Sequence, residues 1–416
     1  MKSAKFKDSP LGPIPQDWEV KRLGEIGEPL MCKRVLKHQT SDQGDIPFYK
    51  IGTFGKTPDA YITRSLFESL RSKYPFPRKG DCLISAAGTI GRVVVYNGED
   101  AYFQDSNIVW IDNDEAVVTN EYLALCYALM KWQSEDGGII SRLYNANLKA
   151  QIIVCPPLPE QQRIAEALGG VDKLIESLDE QIEKKRLIAK GVAHDLLSGK
   201  KRLPGFAPAG GRMQDRVRDS SLPEGWSMKQ LGDCVEINPI GGQIPDEFVY
   251  VDLESVKNGC LVQNNVVLRR DAPSRAQRQF AFGDVLFQTV RPYQKNNLFV
   301  NFDASKYVAS TGYAVLRERD GVSASLYIYA YLHLDSFVAQ VLDKCTGTSY
   351  PAINPTALAG IEIALPELAE QQAIADLLGE QDAAIAALEG KREKYVRIKE
   401  GMMRDLLTGK VRMKGE

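Results

Sequence analysis

The chain contains one long segment twice, and this duplication constrains its fold more than any other feature. EQQRIAEALGGVDKLIESLDEQIEKKR begins at Glu160, and EQQAIADLLGEQDAAIAALEGKREKY begins at Glu370. Between residues 160–203 and 370–413, 20 of 44 aligned positions are identical. Prolines precede each copy, and Gly199 and Gly409 follow as helix stops. The pattern predicts two long helices of related sequence.

Apolar residues recur along both copies in alternate steps of three and four positions. Such residues form a stripe along one side of a helix, which is buried by packing against another helix. At about 1.5 Å per residue, each helix spans roughly 55–60 Å. No globular segment is left over to cover them, so we expect the helices to form an antiparallel coiled coil. The predicted interface residues are Ile164, Leu168, Val171, Ile175, Leu178, Ile182, Val192, Leu196, Ile374, Leu378, Ile385, Leu388, Tyr395, Met402 and Leu406.

The duplication extends upstream of both helices. IPQDWEVKRLGEIGE (14–28) parallels LPEGWSMKQLGDCVE (222–236), and the halves differ between such anchors. Short β-rich runs alternate with helical runs at 120–133 and 324–342, which predicts α/β (α+β) domains, two in tandem, with an internal pseudo-two-fold repeat. The predicted boundaries are 1–155 for the first domain, 156–200 for the first helix, 201–221 for a linker, 222–365 for the second domain and 366–416 for the second helix.

Composition and length exclude several classes of protein. The 416 residues are 44% hydrophobic and 25% charged, as in soluble globular proteins. No apolar run approaches the roughly 18 residues of a membrane span, and the start lacks the apolar region of a secretory signal. We therefore expect a cytoplasmic protein with no membrane partner. Seven scattered cysteines form no C-x-x-C pair and the three histidines show no ligand spacing, so no metal site is predicted.

The charge is unevenly distributed, although its sum is only −2. Residues 64–92 contain six Lys or Arg against two acidic residues, and residues 269–295 contain the same numbers. Each window therefore carries 6 − 2 = +4. Two basic patches on a neutral body can bind a polyanion such as nucleic acid. A solvated surface remains the alternative for each patch taken alone.

Motifs of enzymes that modify or cleave DNA are missing from the sequence. NPIG (238–241) and NPTA (354–357) lack the second proline and the aromatic residue of a base-flipping methyltransferase motif. AAGTIGR (86–92) lacks the lysine of a phosphate-binding loop, and no G-x-S-x-G or H-E-x-x-H occurs. We therefore predict that this chain is not an enzyme.

Several motifs together resemble those of one protein family. LPEQQRIAEALGGVDKLIE, DLLSGK, DLLTGK, LPEGWSMKQLGD, QTVRPYQKNN and GTSYPAINPTALAGIEIALP look like the specificity (S) subunit of type I restriction–modification systems. The resemblance covers both halves of the chain in order. It implies two target-recognition domains that each read one half of a bipartite double-stranded DNA target, with the coiled coil as the spacer. Because the halves differ between their anchors, we expect the target to be asymmetric.

The resemblance also implies the partners and places the chemistry on them. Two methyltransferase (M) subunits would use S-adenosylmethionine, and restriction (R) subunits would use ATP and Mg²⁺ for cutting. We expect no cofactor in this chain itself.

Base reading needs forked hydrogen-bond donors at base edges, and anchoring needs cations at phosphates. The first-half candidates include four probable phosphate clamps and two loops: Arg71, Lys73, Arg78, Lys79, Ser85, Thr89, Arg92, Arg142, Tyr144, Asn145 and Asn147. The second-half candidates lie in or near VRPYQKNN and CTGTSYP: Arg275, Arg278, Gln288, Arg291, Tyr293, Lys295, Asn296, Thr346, Thr348, Ser349 and Tyr350. Any single cation here could instead be an idle surface charge. Tyr144 and Tyr350 could instead cap the junction between domain and helix.

An alternative function stays open at this point. A non-catalytic coiled-coil scaffold that binds protein partners through its α/β domains fits the same repeat. It predicts no salt-sensitive DNA binding, whereas a DNA reader loses affinity steeply as salt rises.

Overall fold

The computed structural model describes residues 6–105, 107–130, 132, 142–206 and 222–413. The chain divides into two compact units, residues 1–179 with 391–416 and residues 180–390. Residues 207–221 of the predicted linker lie outside the described residues. Within the described ranges, no helix has the length and apolar character that crossing a membrane requires.

The first domain contains short strands and four helices before its long helix. The strands are β1 (Phe6–Lys7), β2 (Ile14–Pro15), β3 (Glu19–Arg22), β4 (Pro29–Leu30), β5 (Ile46–Tyr49), β6 (Tyr61–Ile62), β7 (Cys82–Ser85), β8 (Val93–Val95), β9 (Tyr102–Phe103), β10 (Ile108–Ile111) and β11 (Ile152–Cys155). The helices are α1 (Leu23–Ile26), α2 (Arg64–Lys73), α3 (Asn120–Leu129), α4 (Asn145–Ala150) and the long α5 (Leu158–Leu197). A sheet of order β4-β10-β7-β8 and a sheet of order β6-β5-β9 form the body of this domain.

The second domain repeats this arrangement with more strands. These are β12 (Ser227–Gln230), β13 (Val235–Ile237), β14 (Glu247–Val251), β15 (Val256–Lys257), β16 (Cys260–Leu261), β17 (Asn265–Leu268), β18 (Ala276–Gln279), β19 (Val285–Gln288), β20 (Leu298–Phe299), β21 (Tyr307–Ser310), β22 (Tyr313–Glu318) and β23 (Glu362–Leu365). The helices are α6 (Leu231–Cys234), α7 (Ser325–Tyr331), α8 (Asp335–Asp343), α9 (Pro355–Ala359) and the long α10 (Leu368–Leu407). The sheets have the orders β13-β22-β19-β20 and β17-β14-β21-β18.

The two central sheets are built alike, as the sequence repeat predicts. In each, a buried strand (β7 or β19) lies between two neighbours, and both pairings are antiparallel. A separate strand pair closes each domain, since β3 pairs with β11 and β12 pairs with β23. A strand near the start of each domain therefore pairs with the strand that leads into the long helix.

The single helix predicted over 324–342 is wrong, because the chain forms α7 and α8 with a break between them. Leu334 has an extended backbone (φ −62°, ψ 136°), which interrupts the helical hydrogen bonds. The break turns α8 so that Phe337 packs edge-on against Tyr331 and Phe287, with ring centroids 6.1 Å apart in both pairs. Burial of these rings overrides the local helical pattern.

Each long helix has 40 residues, and each compact unit contains half of both. In the first unit, Asp172 pairs with Lys399 and Asp179 with Arg392, both at 2.5 Å. One sequence number rises while the other falls, so the helix segments run antiparallel. In the second unit, Arg186 pairs with Glu389 at 2.6 Å, and Leu196 lies in the same hydrophobic cluster as Ile374. The segments run antiparallel there as well.

None of the predicted coiled-coil residues is exposed. Ile164, Leu168, Leu178, Ile182, Leu196, Ile374, Leu378 and Leu406 are buried, and the other seven are half-buried. However, the helix ends are covered by their domains as well as by each other. Ile164 lies in a cluster with Trp18, and Ile374 lies in a cluster with Trp226. The expectation that no domain covers these helices is therefore wrong at their ends.

Candidate nucleic-acid interface

The connection that follows β19 has an unusual backbone conformation. Arg291 and Lys295 both have positive φ values, 55° and 54°, and they flank a single 3-10 turn at Pro292–Gln294. Such values are disfavoured for residues with a Cβ, and residues strained in this way cluster at functional sites. Pro292 fixes its own φ and so stiffens the turn. This connection, residues 289–297, contains the residues predicted to read DNA and is called the reading loop below; its backbone is stiffened at both ends of the turn.

Gln288 holds this loop from beneath. Its side-chain amide donates to Val290 O at 2.7 Å and to Gln294 Oε1 at 2.8 Å, and its Oε1 accepts from Asn296 N at 3.2 Å. The residue is only 1% exposed. This placement fits a positioning role and does not support the predicted direct contact of Gln288 with DNA.

The two loops predicted in the second half come together in the structure. Arg291 N donates to Pro351 O at 2.7 Å, and a β-bridge joins Val290 to Ala352. The Arg291 guanidinium stacks over the ring of Tyr350, 4.2 Å from its centroid. Stacking on an aromatic face holds the guanidinium plane in one orientation. VRPYQK and CTGTSYP therefore form one surface.

This surface exposes several side chains that can form hydrogen bonds. Tyr350 is 64% and Tyr293 is 49% exposed, and Thr346, Thr348 and Ser349 are exposed beside them. Because Tyr350 is so exposed, it does not cap the junction between domain and helix. The same holds for Tyr144 in the first domain, which is 63% exposed.

Lys295 is committed to contacts within the second unit. Its ammonium donates to His333 O at 2.7 Å and to the Asp335 carboxylate at 2.6 Å. Asp335 also lies 3.3 Å from Lys190 on α5. Lys295 therefore fastens the reading loop to the break before α8, and its predicted DNA contact would require this ion pair to open. Asn296 is half-buried beside it.

Arg275 and Arg278 lie near the same end of the second domain. Arg275 is exposed, and its carbonyl accepts from Thr311 N at 2.8 Å in the turn that precedes β22. The next residue of that turn, Gly312, accepts from Thr289 N in the reading loop at 2.9 Å. Arg278 is half-buried on β18. Arg275 therefore adjoins the reading loop through the turn at 311–312, and Arg278 follows it by three residues.

The first domain has a corresponding loop after β7. Ser85 Oγ donates to Thr89 O at 2.5 Å and accepts from Arg92 N at 2.8 Å. Leu143 N donates to Ala86 O, and a β-bridge joins Ala87 to Arg142. The structure therefore brings 85–92 and 142–147 together, as it does the two loops of the second domain.

Residues within this first-domain surface differ in accessibility. Ser85 is 1% exposed, so it shapes the loop from below, as Gln288 does. Arg92 donates to Phe54 O at 2.9 Å and is half-buried. The exposed candidates are Thr89, Arg142, Tyr144 and Asn145, whereas Asn147 is half-buried.

The four predicted phosphate clamps of the first half lie elsewhere. Arg78 and Lys79 precede β7, so they lie at its amino end, whereas the loop leaves its carboxyl end, about 13 Å away along four residues. Arg78 pairs with Asp112 at 2.8 Å, and Arg71 packs over the Phe76 ring at 5.1 Å. Lys73 lies on the last turn of α2, close to Arg71. The structure does not bring this group together with the reading loop.

The same hydrogen-bonded contact occurs in both units and joins each domain to the start of its long helix. Trp18 donates its indole N–H to Glu160 at 3.1 Å, and Trp226 donates to Glu370 at 3.0 Å. An arginine just past the end of the other long helix completes each site. Arg412 binds Glu160 at 2.7 Å, and Arg202 binds Glu370 at 2.6 Å.

The glutamine after each glutamate adds a second attachment. Gln161 accepts from Thr119 N at 2.9 Å and donates to Pro156 O at 2.8 Å. Gln371 accepts from Ala324 N at 2.9 Å and donates to Pro366 O at 2.9 Å. The EQQ motif thus binds the start of each long helix to its own domain. The repeated Trp, Glu and Arg positions were a usable signal for these sites, but the sequence alone does not pair them.

The charge of Glu160 is stabilised by its partners. Burial by itself would raise the pKa of Glu160, but hydrogen bonds from the Arg412 guanidinium and the Trp18 indole outweigh it, so the pKa lies below the ordinary 4.5. Hydrogen bonds to Glu160 and Asp17 raise the pKa of Arg412, so the ion pair with Glu160 stays charged at neutral pH.

We expect the first unit to lose stability as the pH falls below about 4.5. A carboxylate with a lowered pKa contributes stability that is present above its unfolded-state pKa and is lost as the pH falls through its folded-state pKa. Urea unfolding of the wild type and of Glu160→Gln at neutral and acidic pH measures this contribution. The variant should show a shallower dependence on pH in the acidic range. Equal pH dependence in both proteins would contradict the assignment.

Comparison with known proteins agrees with this geometry. A family model described as "Type I restriction modification DNA specificity domain" matches residues 15–185 and 223–396. A Haemophilus influenzae protein named "Putative type I restriction enzyme specificity subunit S.HindORF215P" is 57% identical over 162 residues, which span 39% of this chain and 42% of the relative. A Methanocaldococcus jannaschii protein named "Putative type I restriction enzyme MjaX specificity subunit" is 26% identical over 99% of this chain and 98% of its own length.

One solved structure supports the fold over the whole chain. The crystal structure of a type I restriction–modification S subunit from M. genitalium matches with a TM-score of 0.57 and 14% identity, covering 97% of this chain and 98% of that chain. The shared fold comprises both domains and both long helices, as the sequence repeat predicts.

Proposed function

The chain belongs to the type I restriction–modification DNA specificity family, and from this premise we propose that each domain reads one part of a bipartite, asymmetric DNA target. The observation that carries the proposal is the pair of converging loops at the end of the central sheet in each domain. The loops have the same position but different residues, since AAGTIGR in the first domain replaces TVRPYQK in the second. Two loops at the same position in the fold that carry different hydrogen-bond donors would read different base sequences.

The long helices would set the spacing of the two half-targets. Each runs for 40 residues, about 60 Å. Each compact unit takes one half of α5 and one half of α10, so neither helix belongs to one domain alone. The outer faces of this coiled coil would dock two methyltransferase subunits and, for cutting, restriction subunits.

In this proposal the chain performs no catalysis. Methyl transfer from S-adenosylmethionine and ATP-driven cleavage with Mg²⁺ would occur on the partner subunits. The contribution of this chain is then to hold a chosen sequence against those subunits, and a variant in a reading loop should change where methylation occurs without changing its chemistry.

Deleting the gene should remove one two-part methylation motif from the host genome. Methylome sequencing with and without the gene would reveal the motif, and complementation with the intact gene should restore it. A motif with two unlike half-sequences separated by a fixed gap is the expected result. An unchanged methylome would contradict the proposed function in a host that expresses the methyltransferase partner.

Binding of the purified complex to its target duplex should weaken steeply as salt rises. Each phosphate that a Lys or Arg neutralises adds about −0.9 to the slope of log K against log salt. A slope near zero would favour the scaffold function, in which the α/β domains bind proteins. Fluorescence anisotropy at several salt concentrations, with a scrambled duplex as control, separates the two.

A further inference from the structure

A further connection lies beside the reading loop in each domain. β13 pairs antiparallel with β22, which pairs antiparallel with β19, so β13 and β19 run in the same direction. β4, β10 and β7 have the same relationship. The segments that follow β4 and β13 therefore head toward the end of each central sheet where the reading loop begins. They start two to three residues before that end, because Leu30 lies opposite Trp110, and Ile237 lies opposite Leu316, the partner of Val285.

In the second domain this segment, residues 238–244, presents an isoleucine to solvent. Ile240 is 98% exposed, the highest value among the exposed large hydrophobic side chains of the described residues. Burying an isoleucine side chain stabilises a fold, so the full exposure of Ile240 contributes nothing to the stability of the isolated protein.

Both ends of the segment are held firmly while its tip protrudes. Asn238, at a φ of 56°, exchanges two hydrogen bonds with the backbone of Val315, at 2.7 and 3.1 Å. Gln279 donates to Gln243 O at 3.0 Å. A Cβ at position 241 would clash with the Gln279 side chain, so only glycine permits this close approach to β18. The segment is a fixed support for Ile240.

In the first domain the corresponding segment, residues 33–38, is basic. Its sequence KRVLKH contains Lys33, Arg34 and Lys37, all exposed, and Leu36 is 48% exposed. Its backbone is anchored, since Tyr102 donates its hydroxyl to Lys33 O at 3.0 Å. These three cations lie within five residues of one another, outside the two basic windows at 64–92 and 269–295.

We propose that these two segments are additional DNA-contacting elements, with Lys33, Arg34 and Lys37 binding phosphates and Ile240 contacting the methyl group of a thymine in the major groove. The inference rests on the proposed function, because it places both segments on the face that meets the duplex. Apolar side chains distinguish thymine by its C5 methyl group, and cations anchor a duplex without reading sequence. Arg278 lines the same pocket as Pro239 and Gly241, so it supplies positive charge close to Ile240 in the second domain.

Replacing single thymines by uracil tests the contact of Ile240. Uracil lacks only the methyl group, so the wild-type complex should bind about three- to tenfold more weakly when one particular thymine of the target is replaced. Ile240→Ala should bind the thymine and uracil duplexes equally. Phe282→Ala is the matched control, because Phe282 is 71% exposed but precedes β19 and so lies at its opposite end. This control should discriminate thymine from uracil as the wild type does.

Two outcomes separate this inference from the proposed function. If Ile240→Ala discriminates thymine from uracil as the wild type does, or if no thymine replacement weakens wild-type binding, the contact is contradicted while specific binding stands. If the wild-type complex binds its target no better than a scrambled duplex, the proposed function fails and the inference falls with it.

The basic segment has its own matched comparison. Lys33→Ala with Lys37→Ala should reduce the steepness of the salt dependence by about 2, one phosphate for each lysine, without altering the methylated sequence. Lys229→Ala with Lys306→Ala removes the same charge from exposed positions of the second domain, on β12 and just before β21, and should leave the slope unchanged. If the slope of log K against log salt changes with the second pair of substitutions and not with the first, Lys33 and Lys37 do not bind phosphates.

Discussion

Glu370→Ala should lower the free energy of unfolding of the second unit by about 3–5 kcal/mol, the typical cost of removing one partner of a buried ion pair. The Glu370 side chain is 1% exposed, and that of Arg202 is 15% exposed. Alanine would leave the guanidinium without a carboxylate and the Trp226 indole N–H without its acceptor. Thermal unfolding should show a melting temperature lower by about 10 °C, and urea unfolding gives the free energy directly.

Two further variants make this result specific. Glu380→Ala removes an exposed glutamate from the same helix, and it should change the stability by less than about 0.5 kcal/mol. Glu160→Ala should cost less than Glu370→Ala, because Asp17 still pairs with Arg412 at 2.7 Å after Glu160 is lost. An effect of Glu370→Ala no larger than that of Glu380→Ala would show that the buried pair does not hold the domain to its helices.

The long helices and the duplicated organisation could be predicted because they depend on local, periodic signals. A stripe of apolar residues fixes which side of α5 or α10 is buried, whatever covers it. Which residues cover that side depends on the tertiary structure. Leu168 and Leu196 follow the same pattern on α5, but Leu168 also packs against the first domain and Leu196 against the second, which periodicity alone does not reveal.

The reading loops could be located from the sequence, but the roles of their residues could not. Gln288 and Arg291 are three positions apart in one polar loop, and only the structure shows that the first is buried beneath the turn while the second stacks on Tyr350. Similarly, Arg78 and Arg92 belong to one basic window, yet β7 separates them. Charge density along a chain does not determine which end of a strand a side chain occupies.

The two sites where a tryptophan, a glutamate and an arginine join a domain to the long helices could not be predicted from the sequence, because the three residues of each site are distant along the chain. Glu160 and Arg412 are separated by more than half of the chain, and Trp18 comes from a third segment. The repeat does mark all three residues, since Glu370, Arg202 and Trp226 occupy the equivalent positions in the second unit. Duplication therefore identifies the participants, and only the fold reveals that they meet.

Arg291→Ala should weaken binding to the specific duplex by about 1–3 kcal/mol, or roughly five- to 150-fold, if the residue reads a guanine. The guanidinium is fixed in orientation by the Tyr350 ring and by the left-handed backbone at position 291. Alanine keeps a Cβ at this backbone position. The substitution therefore removes the guanidinium and its paired N–H donors without relieving the backbone strain. Binding of the purified complex to target and scrambled duplexes measures the loss of specificity.

Two variants distinguish base reading from non-specific electrostatic attraction to DNA. Arg291→Lys retains the charge but lacks the planar fork, so it should keep nonspecific affinity while losing discrimination at one base pair. Arg270→Ala removes an arginine whose side chain is 80% exposed, and it should leave discrimination intact. If Arg291→Ala retains both wild-type affinity and the wild-type methylated sequence, Arg291 does not read DNA. The stacked pair with Tyr350 would then serve only to close the loop.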